Sequence, residues 1–480
     1  MSSAPSAHND WARLAPPDLG QWVPTTTVGV IVVGDDPAAV ARTTAALHQQ
    51  QYPSDLLYLG SCGTDGAFPN EVGAAKGEIV VRIPAGAVPA SDFVTALARW
   101  PHTSPEAVSL AVPMIFPDAD PGGIGPDPDV ISTHVGAGTL DQLFPGCTAG
   151  AELARRLAAT HQLRTADHLA FLAVAGTAFA FRRDRYQAGA DGCQGADVEV
   201  GYRLAQAGAL FVPEPAARVW IPPVAAGAST AGGSPAGLAD LMAYPREHRR
   251  RPGRTWHVPL VTAVVPADQP YEVVRSCVDR LLAGDERDLH VVLVADWHDD
   301  AAHRDGGGAD LRLLAAEYRF EPRVTMRATA PTSAYPAPYL LRVPARLGVD
   351  ASTVGALVAA MEKWRCGLLR VLPAGAGSAT HAVELWSTAA RARALHAGTS
   401  EGALVEAVAA SHGQRWETGS EYGVVDLLAD TVTGPATAGT AARQRPAQTV
   451  AVGGARSLGR ATVFVARQYA RGVRRRLVAR

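Results

Sequence analysis

Residues 28 to 33 read VGVIVV, a continuous β-branched run that stops at Gly34-Asp35-Asp36-Pro37. An alanine-rich stretch follows to about Gln50, and Leu56 to Leu59 opens a second apolar run. An apolar run without polar alternation predicts a strand covered on both faces. Strand, turn, helix and strand in that order predict a βαβ unit, hence a parallel sheet that takes ligands at the carboxyl ends of its strands.

The same order returns later. VTAVV (261 to 265) leads through Pro266-Ala267-Asp268-Gln269-Pro270 to a helix around Val273 to Leu282 and a strand, HVVLVA (290 to 295). Asp35, Pro37, Val40 and Arg42 recur as Asp268, Pro270, Val273 and Arg275. Ile79-Val80-Val81-Arg82-Ile83-Pro84-Ala85 recurs as Tyr339-Leu340-Leu341-Arg342-Val343-Pro344-Ala345. Self-similarity of this kind predicts two copies of one α/β domain. The expected division is an extension over 1–24, a first domain over 25–222, a Pro, Gly and Arg-rich linker over 223–257, a second and degenerate domain over 258–430, and a disordered segment with a basic helix over 431–480.

The formal charge of −2 conceals an asymmetry, because residues 431–480 hold ten arginines and no acid, leaving −12 on residues 1–430. The arginine-rich end predicts either contact with an anionic membrane surface through 457–480 or a solvated tail. The linker arginines, Arg246 to Arg254, predict either phosphate or headgroup binding or pairing with the acidic body. Five widely spaced cysteines form no CxxC pair, which predicts buried thiols in a reducing cytoplasm. The first 20 residues carry no apolar leader, and the longest apolar run, Leu169 to Phe181, is shorter than the roughly 20 residues a bilayer needs. The expected location is therefore cytoplasmic or peripheral to the inner membrane face. No basic groove interleaved with aromatics points to nucleic acid.

Residues 176–220, GTAFAFRRDRYQAGADGCQGADVEVGYRLAQAGALFVPEPAARVW, carry ordered landmarks: a Phe-Arg-Arg strand end, a Gly-rich turn, an acidic pair opening a helix, Gly-Tyr-Arg-Leu, then Pro-Glu and Val-Trp. With the βαβ start and the strand GEIVV (77 to 81), this resembles the family 2 glycosyltransferases of GT-A fold. The resemblance covers about residues 25–222 and, more weakly, 258–400. It implies an α/β, Rossmann-like, mostly parallel sheet and an inverting transfer from a nucleotide-sugar donor to a glycan or lipid-linked acceptor of the cell envelope or of secreted glycans.

On that resemblance the general base falls on Asp197, which a helix N-terminus would also favour for its charge alone. Donor binding falls on Asp35, Asp65, Arg82, Arg182 and Arg183. The metal-binding Asp-x-Asp falls on Pro84-Ala85-Gly86, and the family's metal-binding His on Ile221, so no divalent cofactor is expected. Arg82 alternates onto the same strand face as positions 84 and 86, where a guanidinium could neutralise a diphosphate or instead make a buried ion pair. Asp118-Ala119-Asp120 is a literal Asp-x-Asp set in a Pro and Gly-rich loop, read as a decoy. In the second copy Asp296 ends a strand, but Pro344-Ala345-Arg346 stands at the Asp-x-Asp place, which predicts a structural or partner-binding role. Two readings stay open: a metal-independent glycosyltransferase, or a non-catalytic relative that serves as scaffold or regulatory partner of an active transferase.

Overall fold

The VGVIVV run forms strand β1 (Val28–Val33), buried along its whole length. Helix α1 (Pro37–Leu47) follows, with Pro37 in its first turn and the Asp36 carboxylate accepting from the Ala38 N–H, a capped start of the kind those residues favour. Strand β2 (Leu57–Cys62) lies parallel beside β1, and β3 (Ile79–Pro84) lies parallel on its other side. Helix α2 (Phe68–Ala74) joins β2 to β3 and buries Phe68 and Val72. The protein is described here from a computed structural model over residues 9–64, 68–116, 126–187, 195–222, 235–249, 254–297, 307–373 and 381–430.

The first sheet is completed by β4 (Val88–Pro89), β5 (Ala107–Ile115), β6 (Thr148–Ala149), β7 (Phe179–Arg182) and β8 (Leu210–Ile221), in the order β2-β1-β3-β7-β5-β8-β4 with β6 on β5. Strand β7 runs antiparallel to both β3 and β5, while β5 and β8 are parallel. A second sheet holds β9 (Val261–Pro266), β10 (Leu289–Val294), β11 (Val324–Arg327) and β12 (Tyr339–Arg342), then β14 (Leu368–Leu372), β15 (Val383–Ser387) and β16 (Gln414–Thr418). Its order is β11-β10-β9-β12-β15-β14-β16, and β13 (Leu347–Val349) pairs separately with β17 (Val424–Asp426).

The path β2-β1-β3-β7-β5-β8 takes two parallel steps, two antiparallel steps and one parallel step, and the path β10-β9-β12-β15-β14-β16 repeats those senses. The register agrees as well. Val28 stands opposite Ile79 and Val261 opposite Tyr339, so the two seven-residue segments matched in sequence occupy the same rungs.

The two sheets share one core. A single hydrophobic cluster runs from Phe68 and Phe171 through Tyr202 and Tyr244 to Leu341 and Val358, and the described residues belong to one compact unit. The segment read as a loop or linker is folded in its described part: residues 235–241 are helical, and Leu241, Met242, Ala243 and Tyr244 are buried. Its described arginines are paired, Arg246 with Glu286, Arg249 with Asp288 and Arg254 with Asp240. Apolar residues between polar ones are what hold this stretch down, since burial of a few large side chains offsets the entropy of ordering it. Cys277 and Cys366 are buried thiols, whereas Cys62 and Cys147 are partly exposed. Among the described residues no helix is long and apolar enough to cross a membrane. Asp65, Asp118, Asp120 and the basic segment 457–480 lie outside the described residues.

Histidines held low by burial, His168 and His290 foremost and His396 with them, impose a pH dependence on this fold. Burial holds both His168 and His290 below the ordinary imidazole value of 6.5, and the charge of Arg327 adds to the effect at His290. The unfolded chain therefore binds more protons than the folded one near pH 6, so their stabilising contribution is complete above about pH 6.5 and declines as the pH falls through the folded values. Melting temperatures measured in chloride buffers should drop between pH 7.5 and 5.5, and His168→Gln with His290→Gln should flatten that slope. An identical slope in the double variant would contradict the assignment.

Candidate functional site

Strand alternation sorts β3 between two cores: Ile79, Val81 and Ile83 face α1 and α3 (Phe93–Thr103), while Val80 and Arg82 face α2. Arg82 is thus pointed inward and is only 3% exposed. Its guanidinium lies 5.0 Å from the centre of the Phe68 ring and 6.0 Å from that of Phe179. One terminal nitrogen donates to the Gly195 carbonyl at 3.2 Å, and the other is ion-paired with the Asp197 carboxylate. Burial lowers the Arg82 pKa to about 10, which still leaves it protonated at neutral pH.

Asp197 opens helix α4 (Asp197–Gln206), and its second carboxylate oxygen accepts the Gly176 N–H at 3.1 Å. Both oxygens are therefore occupied, and the residue is 3% exposed. The other acid of the pair, Glu199, is fully buried and is held the same way: Arg203 Nε donates to one oxygen at 3.0 Å and the Gly195 N–H to the other at 3.1 Å. Glu214 of the Pro-Glu landmark accepts from Arg99 Nε at 3.0 Å and from Trp100 Nε1 at 2.7 Å. Asp197, Glu199 and Glu214 thus each have a buried cationic or N–H partner.

The strand mouth is filled by backbone and small side chains. A Cβ placed on Gly34 would stand 2.4 Å from the Ala85 Cβ, so the ends of β1 and β3 touch. Gly86, at φ +87°, donates its N–H to Thr43 Oγ1 at 2.9 Å and to the Ala39 carbonyl at 3.1 Å, and faces Pro222. Only a residue without a Cβ adopts that φ at little cost. Pro84, Ala85 and Gly86 bring no side-chain oxygen to this place, so these residues do not suit the divalent ion that the family's Asp-x-Asp holds.

The remaining donor candidates do not converge. Asp35 is exposed after β1, where Thr64 donates to it through its N–H at 2.9 Å and through its hydroxyl, and those bonds hold its carboxyl below the usual range. It borders a shallow cleft with Pro37, Ser61 and Cys62 at the carboxyl ends of β1 and β2. Arg182 stands opposite Ile79, the first residue of β3, because β7 runs antiparallel there. Its partners are Glu78 at 3.2 Å and Asp184 at 3.7 Å, and Arg183 donates to the Ala75 carbonyl at 2.6 Å. Five strand residues at ~3.3 Å each put Arg182 about 16 Å from the mouth beside Asp35. The structure thus joins Arg82 to Asp197 and separates Arg182 and Arg183 from Asp35.

In the second sheet Arg342 occupies the rung of Arg82 but is partly exposed, pairing with Glu401 at 3.2 Å. It borders an open cleft with Asp268, Pro344 and Glu384. Sequence reasoning missed the partners of these arginines, since Asp197 and Glu401 lie far from them in the chain and only packing brings them within reach.

No protein-family model matches the chain, and no curated protein matches it. Among solved structures, S. aureus TarS 1–349 is similar at 12% identity over 33% of this chain and 57% of that one, with a TM-score of 0.23. The same fragment in complex with UDP-GlcNAc gives 12%, 33%, 58% and 0.23, and in complex with UDP 12%, 33%, 60% and 0.24. The match therefore spans somewhat over half of those chains.

Proposed function

We propose that this protein is a tandem relative of the family 2 glycosyltransferases whose first half has given up catalysis, and that it acts by binding, as a partner of an active transferase. The tandem reading rests on the shared strand senses and register of the two sheets. The non-catalytic reading is carried by one observation, the buried ion pair between Arg82 and Asp197. A base must reach an acceptor hydroxyl, and a cation that replaces a metal must reach a diphosphate. Here each group is consumed by the other, away from solvent, and the strand mouth beyond them is occupied by Ala85, Gly86 and Pro222.

Purified full-length protein incubated with UDP-, GDP- and dTDP-sugars, with and without Mn²⁺, should release no nucleoside diphosphate. Turnover that Asp197→Asn abolishes without changing the melting temperature would overturn this reading and return Asp197 to the role of general base in a metal-independent transfer.

A further inference from the structure

The two sheets differ in how one corresponding face is covered. In the first, α2 and the chain after it close over β1 and β2, and a Cβ on Gly29 would meet Ala75 at 3.4 Å. Register places Thr262 at the rung of Gly29 and His290 at the rung of Tyr58. No helix joins β11 to β12 to cover them, and the connecting loop packs Ala334 and Ala337 against Val264 and Val292, farther along the same face. Its Tyr335 hydroxyl donates to the Gln187 carbonyl at 2.7 Å, and Tyr202 of α4 donates to the Pro336 carbonyl at 2.7 Å. A cavity of about 460 Å³ is left between loop, sheet and α4.

Its chemistry is one-sided. Arg203, His257, His290 and Arg327 line it together with the hydroxyls of Thr262 and Thr325, and among the described residues none that lines it is Asp or Glu. His290 Nε2 lies 2.8 Å from Thr325 Oγ1, which fixes the ring over the strands. Arg203 is already balanced by Glu199. Arg327, by contrast, has no carboxylate within ion-pair distance among the described residues, so net positive charge remains. Val258, Val292 and Tyr335 supply an apolar wall beside it. Guanidinium, imidazole and hydroxyl donors around a concave space of this size suit a phosphoryl group attached to a small organic body.

We infer that this cavity is a binding site for a small phosphorylated compound, with Arg327 and His290 contacting the phosphoryl group. The site lies against the second sheet and Arg203 of α4, includes neither Arg82 nor Asp197 in its lining, and stands whether or not the chain is catalytic.

Calorimetric titration of the full chain with inorganic phosphate and with glucose 1-phosphate at pH 6.5 tests it. Both should bind, the affinity should fall at least tenfold in Arg327→Gln and in His290→Asn, and phosphate should raise the His290 pKa followed by NMR. Tighter binding of the sugar phosphate would assign the site to organic phosphates as inferred. Equal affinities would overturn that source in favour of free phosphate. Absence of binding by either, or affinities unchanged in both variants while their melting temperatures match the parent, would overturn the site itself.

Discussion

Asp197→Asn should destabilise the protein by about 3–5 kcal/mol, because it leaves the guanidinium of Arg82 buried without its counter-charge. Arg82 is 3% exposed and its other contacts are one carbonyl and two aromatic rings, none of which carries a full negative charge. Removing both charges has a different consequence. In Arg82→Met with Asp197→Asn the asparagine oxygen still accepts from Gly176, and a methionine fits against Phe68 and Phe179, so most of the stability should return. Urea unfolding of the two variants and the parent decides the matter. A single variant as stable as the parent would show that the pair is not a structural strut, and with lost turnover it would mark a catalytic base instead.

Arg393→Met should be nearly as damaging, and at a different place, the seam between the halves. Arg393 lies on helix α5 (Thr388–His396) of the second half and donates to the carbonyls of Gly208 at 2.9 Å and Ala209 at 3.2 Å in the first. It also lies 3.1 Å from His412 Nε2. Burial lowers its pKa to about 10, so it remains charged. Truncation strands two buried carbonyls at about 1–3 kcal/mol each. Gly208 has φ +90° and sits so close that an added Cβ would be 2.9 Å from the Arg393 backbone nitrogen, which explains why neither partner can be enlarged to compensate. The urea midpoint should fall and the transition should broaden as the halves lose their coupling. A midpoint within error of the parent would sink this account of the seam.

Much of the fold was legible because it is written locally. The β-branched run, the Asp-Pro start of α1 and the matched Arg-x-Pro segments fixed the parallel βαβ openings and the equivalent rungs of Arg82 and Arg342. The linker was less legible, since Pro, Gly and Arg dominate its composition while its burial depends on Leu241, Met242 and Tyr244 finding a core elsewhere. The donor set was the least legible part. Resemblance groups Arg182 and Arg183 with Asp35, and only the antiparallel direction of β7 puts them at the far end of β3. His290 and Thr262 carry only a faint signal in the sequence, as polar residues breaking otherwise buried strands.

What the sequence by itself determined is the alternation of faces and the chain order of the elements, because both follow from steric rules acting over a few neighbouring residues. Arg82 and Arg342 hold the same position by those rules. Only the tertiary structure decided their fates. Helix α2 and the start of α4 close over Arg82 and supply Asp197, whereas Arg342 opens onto a cleft and meets Glu401 at its rim. Whether a charge is buried, and against which partner, depends on residues distant in the chain that packing alone brings within reach.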